Sequence, residues 1–147
     1  MRRVTTAFVT ASVLAVLTGV ALPAKVDMTG GDVFLALSAA TPGRGPDPVI
    51  DFQSGLRFKL SASDPTMKIT VETNLGNPRF SLTVEAVNET HGTSQGKVEL
   101  GTVARDLLGD VTSAKNQTCE LRYEATALVA DGTGSDAHTI TYTIVPQ

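Results

Sequence analysis

Three side chains with catalytic potential crowd one short stretch near the end of the chain. Ser135, Asp136 and His138 lie within four residues of one another. A serine hydrolase uses these residue types, with the imidazole held between hydroxyl and carboxylate and an oxyanion site beside them. Residues so close in sequence rarely reach that geometry, and no Gly-x-Ser-x-Gly elbow occurs. The stretch reads as a solvated loop. Cys119 is the single cysteine, and a thiol dyad with His91 or His138 would need it exposed. Its alternation with Leu121 and Tyr123 puts it on an inward face, where a thiol packs as a small hydrophobe. One Cys and two His are too few for a structural zinc site. No catalytic residue is assigned, and the expectation is a protein that is not an enzyme.

The loop Asp131 to Asp136 (DGTGSD) carries the one metal reading. Asp131 and Asp136, with loop carbonyls and hydroxyls, are hard oxygen ligands of the kind calcium takes. The EF-hand spacing fails, because Gly stands second rather than sixth. The calcium nonapeptide is echoed in one copy, where repeats are needed. No cofactor is expected, with calcium at these two carboxylates as the exception to test. Sugar binding on a sheet needs an aromatic platform. Phe58, Phe80, Tyr123 and Tyr142 fall on inward faces, which leaves Phe34 and Phe52. Asn88-Glu89-Thr90 and Asn116-Gln117-Thr118 fit the glycosylation acceptor pattern and read here as turn chemistry.

The elements that would position these groups are strands. Leu121, Tyr123, Ala125 and Ala127 alternate with Glu120, Arg122, Glu124 and Thr126, and Ile140, Tyr142 and Ile144 alternate with three threonines. Period two puts each set on one face of a strand. The two strands are expected to pair antiparallel. Alternation also marks strands at Val33–Leu37, Val49–Gln53, Leu56–Ser61, Met67–Glu72, Phe80–Ala86 and Lys97–Val103, with a less regular piece around Leu107, Leu108 and Val111. Lys25–Asp32 reads as a polar entry segment. Gly55, Asp64-Pro65, 74–78, 88–96 and 113–117 read as turns or loops, and TPGRGPDP at 41–48 as a loop or linker. No amphipathic helix follows the leader. The expected fold is all-β: an antiparallel Greek-key immunoglobulin-like β-sandwich of about seven to nine strands, with a jelly roll as runner-up.

Length and composition agree. The 147 residues suit one domain, and 41% hydrophobic content with 5% aromatic content implies an aliphatic core. Arg2 and Arg3 precede an apolar run from Ala7 to Leu22, followed by small residues, as in an export signal. Residues 1–24 are read as a signal peptide cut after Ala24, with Ala21 as the rival site, and 25–147 as a single sandwich domain. Without Arg2 and Arg3 the net charge moves from -3 to about -5. That opposes nucleic-acid binding, which needs cations to replace phosphate counterions. The membrane is engaged only through the signal, and the expected location is secreted, cell-surface or periplasmic.

The passages VIDF, MKITVETNLGNPRFSLTVEA and GTGSDAHTITYTI together give a cadence that resembles small secreted immunoglobulin-like domains of bacterial surfaces, of the spore-coat-U-like, WxL-type and pilin-like kinds. The Trp-x-Leu motif and the paired cysteines of such domains are absent. The resemblance implies surface display, coat or adhesion roles and carries over no catalytic residue. Thr70, Thr83, Thr126, Thr139, Thr141 and Thr143 are expected on outward faces, with Glu72, Glu85, Glu120 and Glu124 among them. The last strand, Thr139–Val145, is expected to be an open edge for self-association or for another surface protein. The alternative is a ligand-binding module using loops 41–48, 88–96 and 128–138.

Overall fold

The computed structural model describes the backbone of residues 7–12, together with residues 24–38, 44–132 and 134–147. Most of the expected signal peptide, residues 41–43 of the Pro-rich loop and Thr133 lie outside the described residues. The described chain is all-β. Its strands are β1 (Ala7–Ser12), β2 (Lys25–Thr29), β3 (Val33–Leu35), β4 (Val49–Lys59), β5 (Met67–Thr73), β6 (Ser81–Val87), β7 (Thr93–Ser94), β8 (Val98–Glu99), β9 (Arg105–Val111), β10 (Gln117–Thr126) and β11 (Ala137–Pro146). One 3-10 turn, Val129–Asp131, is the only helical element among the described residues.

Two sheets form a β-sandwich. One has the order β3-β1-β11-β5-β9-β7, the other β2-β4-β10-β6-β8. Every pairing is antiparallel except β1 with β11, which is parallel. The six long strands β4, β5, β6, β9, β10 and β11 pass alternately from one sheet to the other. The expected antiparallel pairing of the two C-terminal strands is therefore corrected: β10 and β11 face each other across the core. Residues 127–136 between them are too long for a tight hairpin and carry the chain from sheet to sheet.

Three other expectations change. The Lys25–Asp32 entry segment contains β2, which pairs with β4 from Lys25↔Lys59 to Thr29↔Gly55 and buries Val26. Its two apolar residues, Val26 and Met28, are too few to stand out as alternation. Gly55 is a mid-strand residue rather than a turn, so the two short strands around it are one long β4. A Cβ there would lie 2.6 Å from the carbonyl oxygen of Cys119. Glycine is what lets β4 run this close to β10. Thr70, expected outside, is buried along with Ile69 and Val71. The β5–β9 register shifts on either side of Ile69 and breaks the simple two-residue period.

The core is mostly aliphatic, with Phe58, Phe80 and two phenols among the aliphatic side chains. Leu56, Phe58, Ile69, Val71, Leu107, Leu108, Leu121 and Ile140 are all fully buried. Burying each such side chain is worth about 1.5–3 kcal/mol. Tyr123 of β10 and Tyr142 of β11 meet between the sheets with hydroxyl oxygens 2.5 Å apart. Burial pushes the Tyr123 phenol up to about 12, while its hydrogen bond with Tyr142 pulls the other way. Tyr142 is raised well above its ordinary value, again chiefly by burial. Ser54 lies beside Tyr123, yet its buried Oγ makes no hydrogen bond of good geometry.

Candidate functional site

The structure ties up the catalytic candidates one by one. Asp136 is buried, and its Oδ2 accepts the backbone N–H groups of Arg79 at 2.6 Å and Phe80 at 2.8 Å. It anchors the entry to β6 against the entry to β11. His138 is also buried, with Nδ1 3.1 Å from Thr73 Oγ1 on the neighbouring strand. Burial lowers its pKa, and the nearby Asp136 carboxylate opposes that only in part. Asp136 and His138 thus work with separate partners on the backbone and on Thr73. Cys119 sits on the inward face as expected, and burial pushes its thiol up to about 11. A thiol so placed holds little thiolate at neutral pH. His91 lies at the surface, 3.3 Å from Thr112 Oγ1.

The Asp131–Asp136 loop is organised by the protein's own donors. Asp131 Oδ2 accepts the backbone N–H of Leu128, closing the 3-10 turn. The Asp131 carbonyl accepts a hydrogen bond from the Arg79 guanidinium at 3.3 Å. A Cβ on Gly134 would lie 2.5 Å from Arg79 Nε, so the Arg79 side chain packs directly against that glycine. A fixed cation therefore already sits against the loop. Arg79 was not legible as a loop partner, because its 57-residue separation from Asp136 carries no local pattern.

The three loops proposed for ligand binding are not brought together. β6 starts beside Thr126 and ends beside Glu120. Loop 88–96 therefore leaves at the end of the sandwich opposite to 128–138. There Thr90 bonds to Thr118, and His91 to Thr112. Residues 44–48, the described part of the 41–48 loop, do lie with 128–138: Val49 pairs with Ala125, and Gly45 approaches the Ala127 carbonyl. That shared end holds a cleft of about 370 Å³ between Arg79, Phe80, Glu99, Thr126, Leu128 and Asp131. Asn88 and Asn116 both adopt left-handed backbone with φ 51°, the turn role expected of them.

The outer faces differ. On the face of the β2-containing sheet, Lys97, Glu124, Arg122 and Glu85 form a chain of ion pairs at 2.8–3.2 Å. The Arg122 guanidinium lies 5.9 Å from the Phe52 ring centre. Phe52 is half exposed, as is Phe34, but they belong to different sheets and form no joint platform. On the other sheet Thr139, Thr141 and Thr143 line the outer face of β11, with Glu72 opposite Thr141.

The edge of β11 is the largest departure. In the described chain β11 has a neighbour on both sides, β5 and β1. Ala7–Ser12, a segment inside the expected signal peptide, covers only Ala137–Thr141 of that edge; among the described residues Tyr142–Pro146 pair with β5 alone. No helix among the described residues is long and apolar enough to cross a membrane. Compared with known proteins, the chain matches no family profile and no curated sequence.

Proposed function

We propose that the chain is an exported, non-enzymatic β-sandwich protein with a structural, coat or adhesion role in the cell envelope or outside the cell. In this reading residues 1–24 are the export signal and residues 25–147 the working domain. The observation that carries it is the pairing of β11 with Ala7–Ser12. Removal of the signal takes away the second neighbour of Ala137–Thr141, half of a ten-residue strand, and an unpaired strand edge recruits other strands. Alternation of the long strands between sheets supports the jelly-roll arrangement over the immunoglobulin one, in which the last two strands share a sheet. The test is expression of the full chain in a bacterial host with fractionation and N-terminal sequencing. Envelope or medium protein beginning at Lys25 or Leu22 supports the reading. Cytoplasmic protein that keeps residues 1–24 contradicts it.

A second reading is a ligand-binding module at the 41–48 and 128–138 end. It is favoured by the cleft beside Arg79 and Leu128, and calcium at Asp131 and Asp136 is one form of it. A monomer whose melting temperature rises with added calcium or ligand would be its signature.

A further inference from the structure

The geometry points to a strand-wide docking slot between β3 and β11 that the export signal fills in the precursor and that its removal opens to an extended segment of another polypeptide. This rests on the reading of residues 1–24 as a removable signal. β1 is antiparallel to β3 (Ala7↔Leu35, Phe8↔Phe34, Val9↔Val33) and parallel to β11 (Phe8↔Ala137 to Ser12↔Thr141). Among the described residues β3 has no other strand partner in its sheet. Its position is fixed instead by Val33 and Leu35, with Leu37 just beyond, all buried in the core. Taking β1 away therefore leaves β3 and β11 two strand spacings apart, roughly 9.5 Å. That gap admits one strand. Both walls would then present unpaired backbone donors and acceptors, and a buried backbone group without a partner is costly.

The present occupant defines the chemistry of the one that replaces it. AFVTAS alternates Ala, Val and Ala with Phe, Thr and Ser. Ala7, Val9 and Ala11 stand in register with the buried Leu35, Val33 and Ile140. The incoming segment is extended, runs parallel to β11, and has small apolar residues at every second position. It carries no charge at those positions.

The test uses the full chain with a protease site in place of residues 15–20, in a Cys119→Ala background. The chain is folded and then cut. The probe is a synthetic peptide of residues 2–14 with Thr10→Cys. It is added in excess to cut chains carrying Thr139→Cys or Thr143→Cys. The expected result is that the cut fragment stays with the body until the peptide displaces it. The peptide then forms a disulfide with position 139, its register partner, and not with 143. A peptide that also carries Val9→Asp and Ala11→Asp does not enter. The slot is overturned if the fragment leaves on cutting with no change in melting temperature. Entry of the Asp-bearing peptide, or equal cross-linking at 139 and 143, overturns it as well. So does protection of the β11 amides from hydrogen exchange once the fragment is gone, because β3 has then closed the gap. These outcomes are separate from export: a cytoplasmic, uncut chain contradicts the signal reading while leaving strand exchange intact.

Discussion

The hydroxyls of Tyr123 and Tyr142 meet 2.5 Å apart at the centre of the sandwich and join its two sheets by one buried hydrogen bond. Each is the other's partner in a surrounding of aliphatic side chains. Tyr123→Phe or Tyr142→Phe leaves one phenol hydroxyl buried without that partner, at a cost of about 1–3 kcal/mol. The double variant removes both polar groups and is expected to lose less than the sum of the two singles. Denaturant unfolding of the four proteins measures the coupling. Strict additivity would contradict the pairing.

The same pair sets the alkaline limit of the fold. Tyr123 titrates near 12 in the fold against 10.0 when unfolded, and Tyr142 is raised as well. Cys119 moves from 9.0 to about 11. The unfolded chain therefore gives up protons first. Stability is full below pH 9 and falls as pH rises through 9 to 12. The chain has two Tyr and no Trp, so its tyrosinate absorbance reports on this pair alone. That absorbance is expected to appear together with unfolding, not before it. Cys119→Ala removes the earliest part of the loss.

The acid side depends on His138. Its pKa is lowered from 6.5 by burial, so the folded chain holds it neutral while the unfolded chain takes up a proton. Its contribution is present above pH 6.5 and is lost as pH falls through the folded value. Thermal melts of the wild type and His138→Gln across this range are expected to converge as the pH drops. A wild-type melting curve that ignores pH below 6.5 would contradict the buried neutral imidazole.

Asp136 is expected to act as an anchor for the backbone. Asp136→Ala strips the acceptor from the N–H groups of Arg79 and Phe80 and costs about 1–3 kcal/mol. Asp136→Asn keeps one acceptor oxygen and costs less. The loss is expected to be the same with calcium or with chelator present. A loss seen only with calcium present would move the residue to the metal reading.

How far this was readable depended on clean alternation. β5, β6, β10 and β11 bury every second residue over most of their length, and the sequence shows them plainly. β9 is obscured because Leu107 and Leu108 are adjacent and both buried, with Asp110 in left-handed backbone at φ 54°. β4 is obscured by Gly55, whose role is close approach to β10 rather than turning. Sheet membership of β10 and β11 was not readable, since alternation marks a buried face but not the strand beside it. The partners of Asp136 and His138 were hidden for the same reason: Phe80 and Thr73 are 56 and 65 residues away. The apolar run from Ala7 to Leu22 reads in sequence as an export signal, and the pairing of Ala7–Ser12 as a sheet strand appears only in three dimensions.

The most direct test of a surface or coat role is light scattering on the full chain and on residues 25–147 across a concentration series, with calcium or chelator present. The account predicts that the full chain, with Ala137–Thr141 of β11 covered, stays monomeric and that the processed chain grows into oligomers or filaments as concentration rises. A processed chain that remains monomeric at every concentration would contradict assembly through β11 and send the search to the cleft beside Arg79.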